Sequence, residues 1–234
     1  MGNKRPARTL VLYTDYCCPF SYIMKNIVDR YIDTAIFPPD IEYRFFDLRE
    51  PIRTSSGNLD WSQDQAREDY FQEVRVGVDI LREQRGVFLA KDTCLKVNSK
   101  PAHKISYFIK QNYPKSVFEA VHDCIFRRLW RGKADISQRN ELEDVLKESG
   151  INEEKVDDIL DDDDVEKDLS AYFRRVKQNI PRSSPTLVYQ EQTISGAISL
   201  GDVRRLVKFA KGHPADEFGL NLIPHYMLPQ HHRQ

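Results

Sequence analysis

Two adjacent thiols carry the most pointed chemistry in this 234-residue chain: Cys17 and Cys18, in the stretch Asp15-Tyr16-Cys17-Cys18-Pro19-Phe20-Ser21-Tyr22. An extended apolar run, Leu10-Val11-Leu12-Tyr13, precedes them, and a run with helical periodicity follows. A thiol placed where a strand hands over to a helix can be held as a thiolate. The first helical turn leaves backbone N–H groups unpaired, and the helix dipole is positive there. A thiolate is the form that attacks disulfides. The plain alternative is a pair of cysteines buried at a strand end as small apolar side chains. Spacing alone leaves both readings open.

The other two cysteines are Cys94 and Cys124, and four in a chain of this length are too few for a disulfide scaffold. In a reducing compartment such thiols are catalytic, metal-binding or buried. Cys124 sits within the apolar stripe of a helix and reads as core. Cys94 falls in a loop, from which it could reach a site elsewhere. A formal net charge of -1, from 35 basic and 36 acidic side chains, gives no reason to expect nucleic acid as a partner. No apolar run approaches membrane-spanning length. The basic start, Met1 to Arg8, has no apolar segment behind it like that of a signal peptide, so a cytoplasmic location is expected.

The elements that must position Cys18 follow from periodicity. Residues 8–14 read as a buried, central strand. The next helix runs to about Ala35, with Ile23, Ile27 and Tyr31 in one stripe and Met24, Val28 and Ala35 beside it. Pro19 suits its first turn, where a missing N–H costs nothing. Phe37-Pro38-Pro39-Asp40 stops it, and Ile41 to Asp47 alternates as a second strand, completing a right-handed βαβ unit. Arg49 to Asp60 reads as a polar loop. Helical patterns then fill Asp64–Arg85, Pro101–Asn112, Pro114–Trp130, a segment capped by Ser137 and closed by Gly150, Glu153–Leu160, and Val165 to about Gln178. Asp161 to Asp164 resembles a metal-ligand cluster but reads better as a solvated first turn that suits the helix dipole. Thr186–Gln190 and Thr193–Ala197 form a hairpin about Glu191-Gln192. Ser199, with Asp202 three residues on, caps a last helix whose buried face is Val203, Leu206, Val207 and Ala210. Gly212-His213-Pro214 ends it, and an apolar tail follows.

The order βαβ, helices, ββα makes a four-stranded sheet from parts too small to fold alone. The expected units are residues 8–60 with 177–212, an inserted all-helical block at 61–176, and a tail at 213–234.

That order, with a cysteine opening the first helix and Ser184-Pro185 before the hairpin, resembles the thioredoxin fold. More closely it resembles the DsbA family, in the branch of FrnE-like and 2-hydroxychromene-2-carboxylate isomerase-like proteins that also holds the kappa-class glutathione transferases. Besides residues 15–22, the resemblance rests on Asn98-Ser99 with Ala102-His103, on Phe118-Glu119-Ala120 with Leu129, Gly132-Lys133 and Asp135-Ile136, and on Ser184-Pro185-Thr186-Leu187 with Ser195-Gly196-Ala197. It covers nearly the whole chain apart from the ends. It implies an α/β, thioredoxin-like fold and thiol–disulfide oxidoreductase chemistry, with Cys18 as nucleophile. One departure stands out. A dithiol member would read Cys-Pro-x-Cys, whereas here Ser21 replaces the resolving thiol. The transferases and chromene isomerases use serine at the position of Cys18, so this chain lies between the groups.

The resemblance assigns the remaining candidates. Ser21 can donate a hydrogen bond to the sulfur. A cis bond before Pro185 would turn the Ser184 backbone toward the thiolate, although sequence alone favours the commoner trans form. Pro19, Phe20 and Tyr16 would line the groove around the sulfur. His103, at the start of an insertion helix, reads as a site contact or as a helix-terminal histidine bonded to backbone. Trp61 and Trp130 read as packing residues. Cys17 is a poor resolving thiol, because a vicinal disulfide is strained and a neighbour at a strand end points elsewhere. His225, His231 and His232 lack metal-ligand spacing, and no metal is expected. No cofactor is expected to be tightly bound, with glutathione as a co-substrate. The partner is a thiol or disulfide substrate, protein or small molecule, with no nucleic acid and no membrane, and the chain is a monomer or homodimer. The leading activity is disulfide exchange, reduction, isomerisation or deglutathionylation with an external thiol. The alternative is a glutathione-dependent isomerase or transferase acting on a small electrophile. A third reading, a ligand- or partner-binding module without turnover, would be favoured by a Cys18 that is buried or has an ordinary thiol pKa. An iron–sulfur cluster shared across a dimer would be obstructed by the insertion.

Overall fold

The structure, a computed structural model, describes residues 9–48, 64–91, 93, 97–179, 184–196 and 198–209. Its sheet has the order β2-β1-β3-β4. β1 (Thr9–Thr14) lies parallel to β2 (Asp40–Phe45) and antiparallel to β3 (Thr186–Tyr189), which pairs in a hairpin with β4 (Gln192–Ser195). α1 (Pro19–Thr34) makes the crossover between β1 and β2. Among the described residues six helices separate β2 from β3: α2 (Asp64–Arg85), α3 (Lys100–Asn112), α4 (Lys115–Trp130), α5 (Arg139–Glu148), α6 (Val156–Leu160) and α7 (Asp163–Asn179). α8 (Leu200–Phe209) follows the hairpin. This is the expected thioredoxin-like order with a helical insertion.

β1 is buried on both faces because alternate side chains feed two cores. Leu10 and Leu12 enter the main core with Ile23, Ile27 and Leu206. Val11 and Tyr13 pack on the other face with Phe46, Val176 and Val188. α1 packs against α8 and α2 and touches α4, so the insertion rests on the helix that begins at the cysteines. The stripes read from the sequence are the buried ones: Ile23, Met24, Ile27, Val28 and Tyr31 all lie inside. Ser199 and Asp202 form a reciprocal cap on α8, with Ser199 N–H donating to Asp202 Oδ2 at 2.7 Å and Asp202 N–H donating to Ser199 Oγ at 3.2 Å.

Two glycines stop helices as expected. Gly150 has φ +81°, and a Cβ on Gly132 would sit 2.8 Å from the Arg128 carbonyl oxygen. Several boundaries differ from the sequence reading: β2 spans Asp40–Phe45 rather than Ile41–Asp47, and the hairpin turns at Gln190-Glu191, with Gln192 already in β4 and paired with Tyr189. Ser137 is not the cap of α5: its hydroxyl donates to Asp135 Oδ1 at 2.6 Å, and Gln138 occupies the cap position. α6 begins at Val156, three residues later than read, and α7 starts inside the aspartate run. Asp163 and Asp164 form the first turn of α7, in keeping with the dipole. Among the described residues no helix is long and apolar enough to cross a membrane. None of their His, Cys, Asp and Glu side chains gather in a group of three or more able to hold a metal ion. The 49–60 loop, Trp61, Cys94, Ala210 and the histidine-bearing tail lie outside the described residues.

Candidate active site

β1 ends at Thr14, and the chain turns tightly before α1, with Cys18 N–H donating to the Asp15 carbonyl at 3.1 Å. Cys18 is the N-cap of α1 and Pro19 is its first residue. The sequence supports this start, since proline fits the first turn and no strong capping side chain competes. The Cys18 carbonyl accepts from Ser21 N–H at 3.0 Å and Tyr22 N–H at 3.3 Å, the first bonds of the helix.

The second wall of the site comes from 166 residues further along the chain. The Ser184–Pro185 peptide is cis, and the Cys18 thiol donates to the Ser184 carbonyl oxygen at 3.4 Å. Ser21 is fully buried, and its hydroxyl lies 2.9 Å from the Ser184 hydroxyl. One donor holds both: Asp15 N–H points at Ser184 Oγ (3.0 Å) and Ser21 Oγ (3.3 Å). The strand end, the helix start and the cis-proline turn thus meet within one small polar cluster around Sγ.

Burial changes the expected thiol chemistry. Cys18 is only 5% exposed. Desolvation pushes its pKa up to about 11, and the charge of Asp15 adds to the rise. The Ser21 hydroxyl and the Ser21 and Phe20 amides pull the other way without overcoming it. The expectation of a thiolate held by the helix N-terminus is therefore corrected: the donors are present, but the loss of water outweighs them, and the resting group is a thiol.

Cys17 faces a different partner. Its Sγ donates to Asp15 Oδ1 at 3.2 Å and accepts from Ser99 Oγ at 3.5 Å, so the neighbouring thiols engage opposite sides of the turn. The Asp15 carboxylate is the hub of this side. It also accepts Cys17 N–H (3.1 Å) and Leu48 N–H (2.9 Å), and it lies 3.2 Å from His103 Nε2. Burial alone would raise the Asp15 pKa. The hydrogen bond and positive potential of His103, with the Leu48 N–H and the Ser99 hydroxyl, outweigh it and hold the group well below the usual carboxylate range.

His103 therefore stands on α3 as the partner of Asp15, not as a contact of the Cys18 sulfur or of backbone carbonyls. Tyr16 does not line a groove. It is 1% exposed, with its ring 4.8 Å from His103 and 4.9 Å from Phe126, and its hydroxyl lies 2.7 Å from both Ser106 Oγ and His122 Nδ1. Phe20 is likewise part of the main core. Pro19 is the one proposed groove residue that borders open space, a cleft it shares with Trp130. Trp130 does more than pack. Its indole N–H donates to the Tyr16 carbonyl at 2.9 Å and ties α4 to the cysteine turn. Cys124 is buried as expected and donates to Glu148 Oε2 at 3.3 Å.

Asp15, Ser99 and His122 carry structural weight that sequence reasoning does not assign. The available signal is Asp15 itself, a carboxylate just beyond the apolar run Leu10-Val11-Leu12-Tyr13 of a buried strand, where an ion must find partners or remain neutral. Those partners come from the β2 end and α3, and no local spacing announces them.

A cysteine at the start of the first helix, facing a cis-proline turn at the end of the two central strands of a mixed sheet, defines a thioredoxin-like protein. The DSBA-like thioredoxin domain family matches residues 9–208, and the chain belongs to that family. No curated protein matches the sequence. Among solved structures, the chain is similar to a probable DsbA oxidoreductase of Streptomyces coelicolor, at 19% identity over 92% of this chain and 94% of that one, with a TM-score of 0.64. It is also similar to a 2-hydroxychromene-2-carboxylate isomerase, at 14% identity over 87% and 94% with a TM-score of 0.67. A third is the thiol-disulfide exchange protein alpha-DsbA2 of Wolbachia pipientis, at 18% identity over 89% and 84% with a TM-score of 0.51. Identities this low speak for the fold.

Proposed function

We propose that this protein is a single-thiol disulfide exchanger in which Cys18 forms a mixed disulfide that an external thiol, glutathione, resolves. The observation that carries the reading is the placement of Cys18 Sγ, at the first turn of α1 and 3.4 Å from the Ser184 carbonyl across the cis-proline turn. Ser21, where a dithiol site would hold its second sulfur, supplies a hydroxyl instead, so the enzyme cannot close its own disulfide between these two positions.

The exchange runs in two steps. Cys18 loses its proton, and the thiolate attacks the glutathione sulfur of a substrate R–S–S–G. A Cys18–glutathione disulfide forms, and RS⁻ leaves and takes up a proton. A glutathione thiolate then attacks the glutathione sulfur of the adduct, releasing glutathione disulfide and restoring Cys18. The net change is R–S–S–G plus glutathione giving R–SH plus glutathione disulfide. The Ser21 hydroxyl and the amides of Phe20 and Ser21 are the donors available to the thiolate in the first step. The raised thiol pKa makes the resting enzyme slow and protects the sulfur from oxidation. The test is turnover of a glutathionylated protein, coupled to glutathione disulfide reduction. Cys18→Ser should abolish it and Cys17→Ser should leave most of it. Equal loss in both variants would refute the assignment.

A second reading has one observation in its favour. A protonated Cys18 is a hydrogen-bond donor rather than a nucleophile, as suits a glutathione-dependent isomerase or transferase in which glutathione does the attacking. The same variant separates the two, since Cys18→Ser would keep substantial activity toward a small electrophile under this reading.

A further inference from the structure

Two thiols sit side by side at the start of α1, and the proposed exchange uses one. What separates them is a buried ion. Asp15 is fully buried, and its carboxylate, while ionised, can only accept hydrogen bonds. Cys17 is therefore the donor in the 3.2 Å contact between its Sγ and Asp15 Oδ1, and this sulfur carries its proton. To ionise, Cys17 would have to set a second negative charge against the first, in a residue only 5% exposed, where little water screens the pair.

The carboxylate does not relieve the conflict by taking the proton itself. It accepts Cys17 N–H at 3.1 Å and Leu48 N–H at 2.9 Å, and His103 Nε2 lies 3.2 Å from Oδ1. Ser99 is the N-cap of α3 and His103 lies in its first turn, so the positive end of that helix dipole meets the same charge. These groups hold Asp15 well below the usual carboxylate range, and the proton stays on Cys17. The Ser99 hydroxyl, at 3.5 Å from Cys17 Sγ, is a long donor that works the other way. Among the described residues, the titratable groups facing this side of the turn are Asp15 and His103. Cys18 faces the Ser184 carbonyl, and Tyr16 carries its hydroxyl into the core, to Ser106 and His122.

We propose that Asp15 confines the exchange to Cys18: its carboxylate keeps Cys17 a thiol, so the mixed disulfide at Cys18 is left for an external thiol. A thiolate at Cys17 would attack Cys18 Sγ, form a Cys17–Cys18 bond and expel the glutathione thiolate. Asp15 acts through Cys17 and is a positioning residue. The proposal rests on Cys18 as the reacting thiol and adds what keeps its neighbour out.

The test isolates Cys17 in Cys18→Ser and follows iodoacetamide labelling of the Cys17 peptide by mass spectrometry at pH 8. A like charge in contact raises an acid's pKa by roughly 1–3 pH units, so Asp15→Asn should multiply the Cys17 thiolate about 10- to 1,000-fold. The less basic thiolate is also less nucleophilic, which takes back about half of the gain on a logarithmic scale. Labelling should therefore rise about 3- to 30-fold. His103→Gln breaks the same contact from the other side but leaves the carboxylate beside Cys17, and it should not speed labelling. A loosened turn would speed both variants alike. Equal acceleration in the two would overturn the proposal. So would an unchanged rate in Asp15→Asn, or a slower one, as a carboxylate serving as base for Cys17 requires. If Asp15→Asn does not fold, the pH profile of Cys18→Ser alone decides. The logarithm of its Cys17 rate should climb with unit slope through pH 9, and a plateau below pH 8 overturns the proposal. The labelling is blind to Cys18, whose own reading fails separately, if glutathione disulfide leaves Cys18 of the unaltered protein unmodified.

Discussion

The rate at which Cys18 is alkylated as a function of pH follows from its surroundings with a definite size. With the pKa pushed up to about 11, roughly one molecule in 10,000 carries the thiolate at pH 7. A free cysteine, at about 8.5, is ionised in about one molecule in 30. The shortage of thiolate is therefore about 300-fold. A more basic thiolate is also intrinsically more nucleophilic. Over about 2.5 pH units, a Brønsted slope of about 0.4–0.5 returns roughly tenfold. The intact protein should thus alkylate at Cys18 about 30-fold more slowly at pH 7 than the unfolded chain, before occlusion of a sulfur in a residue only 5% exposed adds to the difference. Iodoacetamide labelling, quenched over time and read at the Cys18 peptide by mass spectrometry, gives both rates. The logarithm of the native rate should climb with unit slope through pH 9. A plateau below pH 8, or a native rate above that of the unfolded chain, would refute the reasoning and mean that the helix N-terminus outweighs burial after all.

Removing the charge of Asp15 should act on both thiols' surroundings. Asp15→Asn leaves His103 without its carboxylate and should cost about 3 kcal/mol in denaturant unfolding. It should also lower the Cys18 pKa, because the Asp15 charge contributes to raising it. The sign in acid is equally definite. Asp15 ionises more readily in the folded protein than in the unfolded chain, so its stabilisation is complete above the unfolded value of about 3.9 and is lost as pH falls through the lower folded value. Asp15→Asn should flatten that part of the stability profile. Ser21→Cys restores the spacing Cys-Pro-Phe-Cys, and the oxidised variant should lose two titratable thiols where the parent loses none by this route. An unchanged thiol count would show that positions 18 and 21 cannot close. Tyr16→Phe leaves Ser106 and His122 Nδ1 without their shared partner inside the core and should cost about 1–3 kcal/mol, measured by the same unfolding assay.

The chain's arrangement is largely legible because its signals are local. The unbroken apolar character of Leu10 to Tyr13 marks a strand covered on both faces, and the stripe from Ile23 to Tyr31 marks the face of α1 that meets the sheet. Proline and glycine punctuate these elements through their own backbone restrictions. Cap positions are less secure. Ser137 has the right chemistry for a cap, but Asp135 two residues earlier takes its hydroxyl, and the helix starts one step later. The site is legible as a location and not as an environment. That Cys18 opens a helix follows from the residues beside it. How dry its sulfur is depends on Ser184, which comes from the far end of the chain, and on the packing of α4 against the turn. His103 stands out in the sequence, yet its partner Asp15 belongs to a strand end 88 residues away, and nothing in the spacing around either residue reveals the pairing. Tyr16 likewise has the composition of a groove residue, but the two histidine-bearing helices α3 and α4 enclose it.

If Cys18 carries the substrate covalently, intact-mass analysis after incubation with glutathione disulfide will show it. One glutathione per chain is expected, mapped to Cys18, forming faster as pH rises toward 9, absent in Cys18→Ser and removed by reduced glutathione. An unmodified Cys18 under those conditions, or an adduct only on another cysteine, would contradict covalent catalysis at this sulfur and leave a thioredoxin-like fold used for binding.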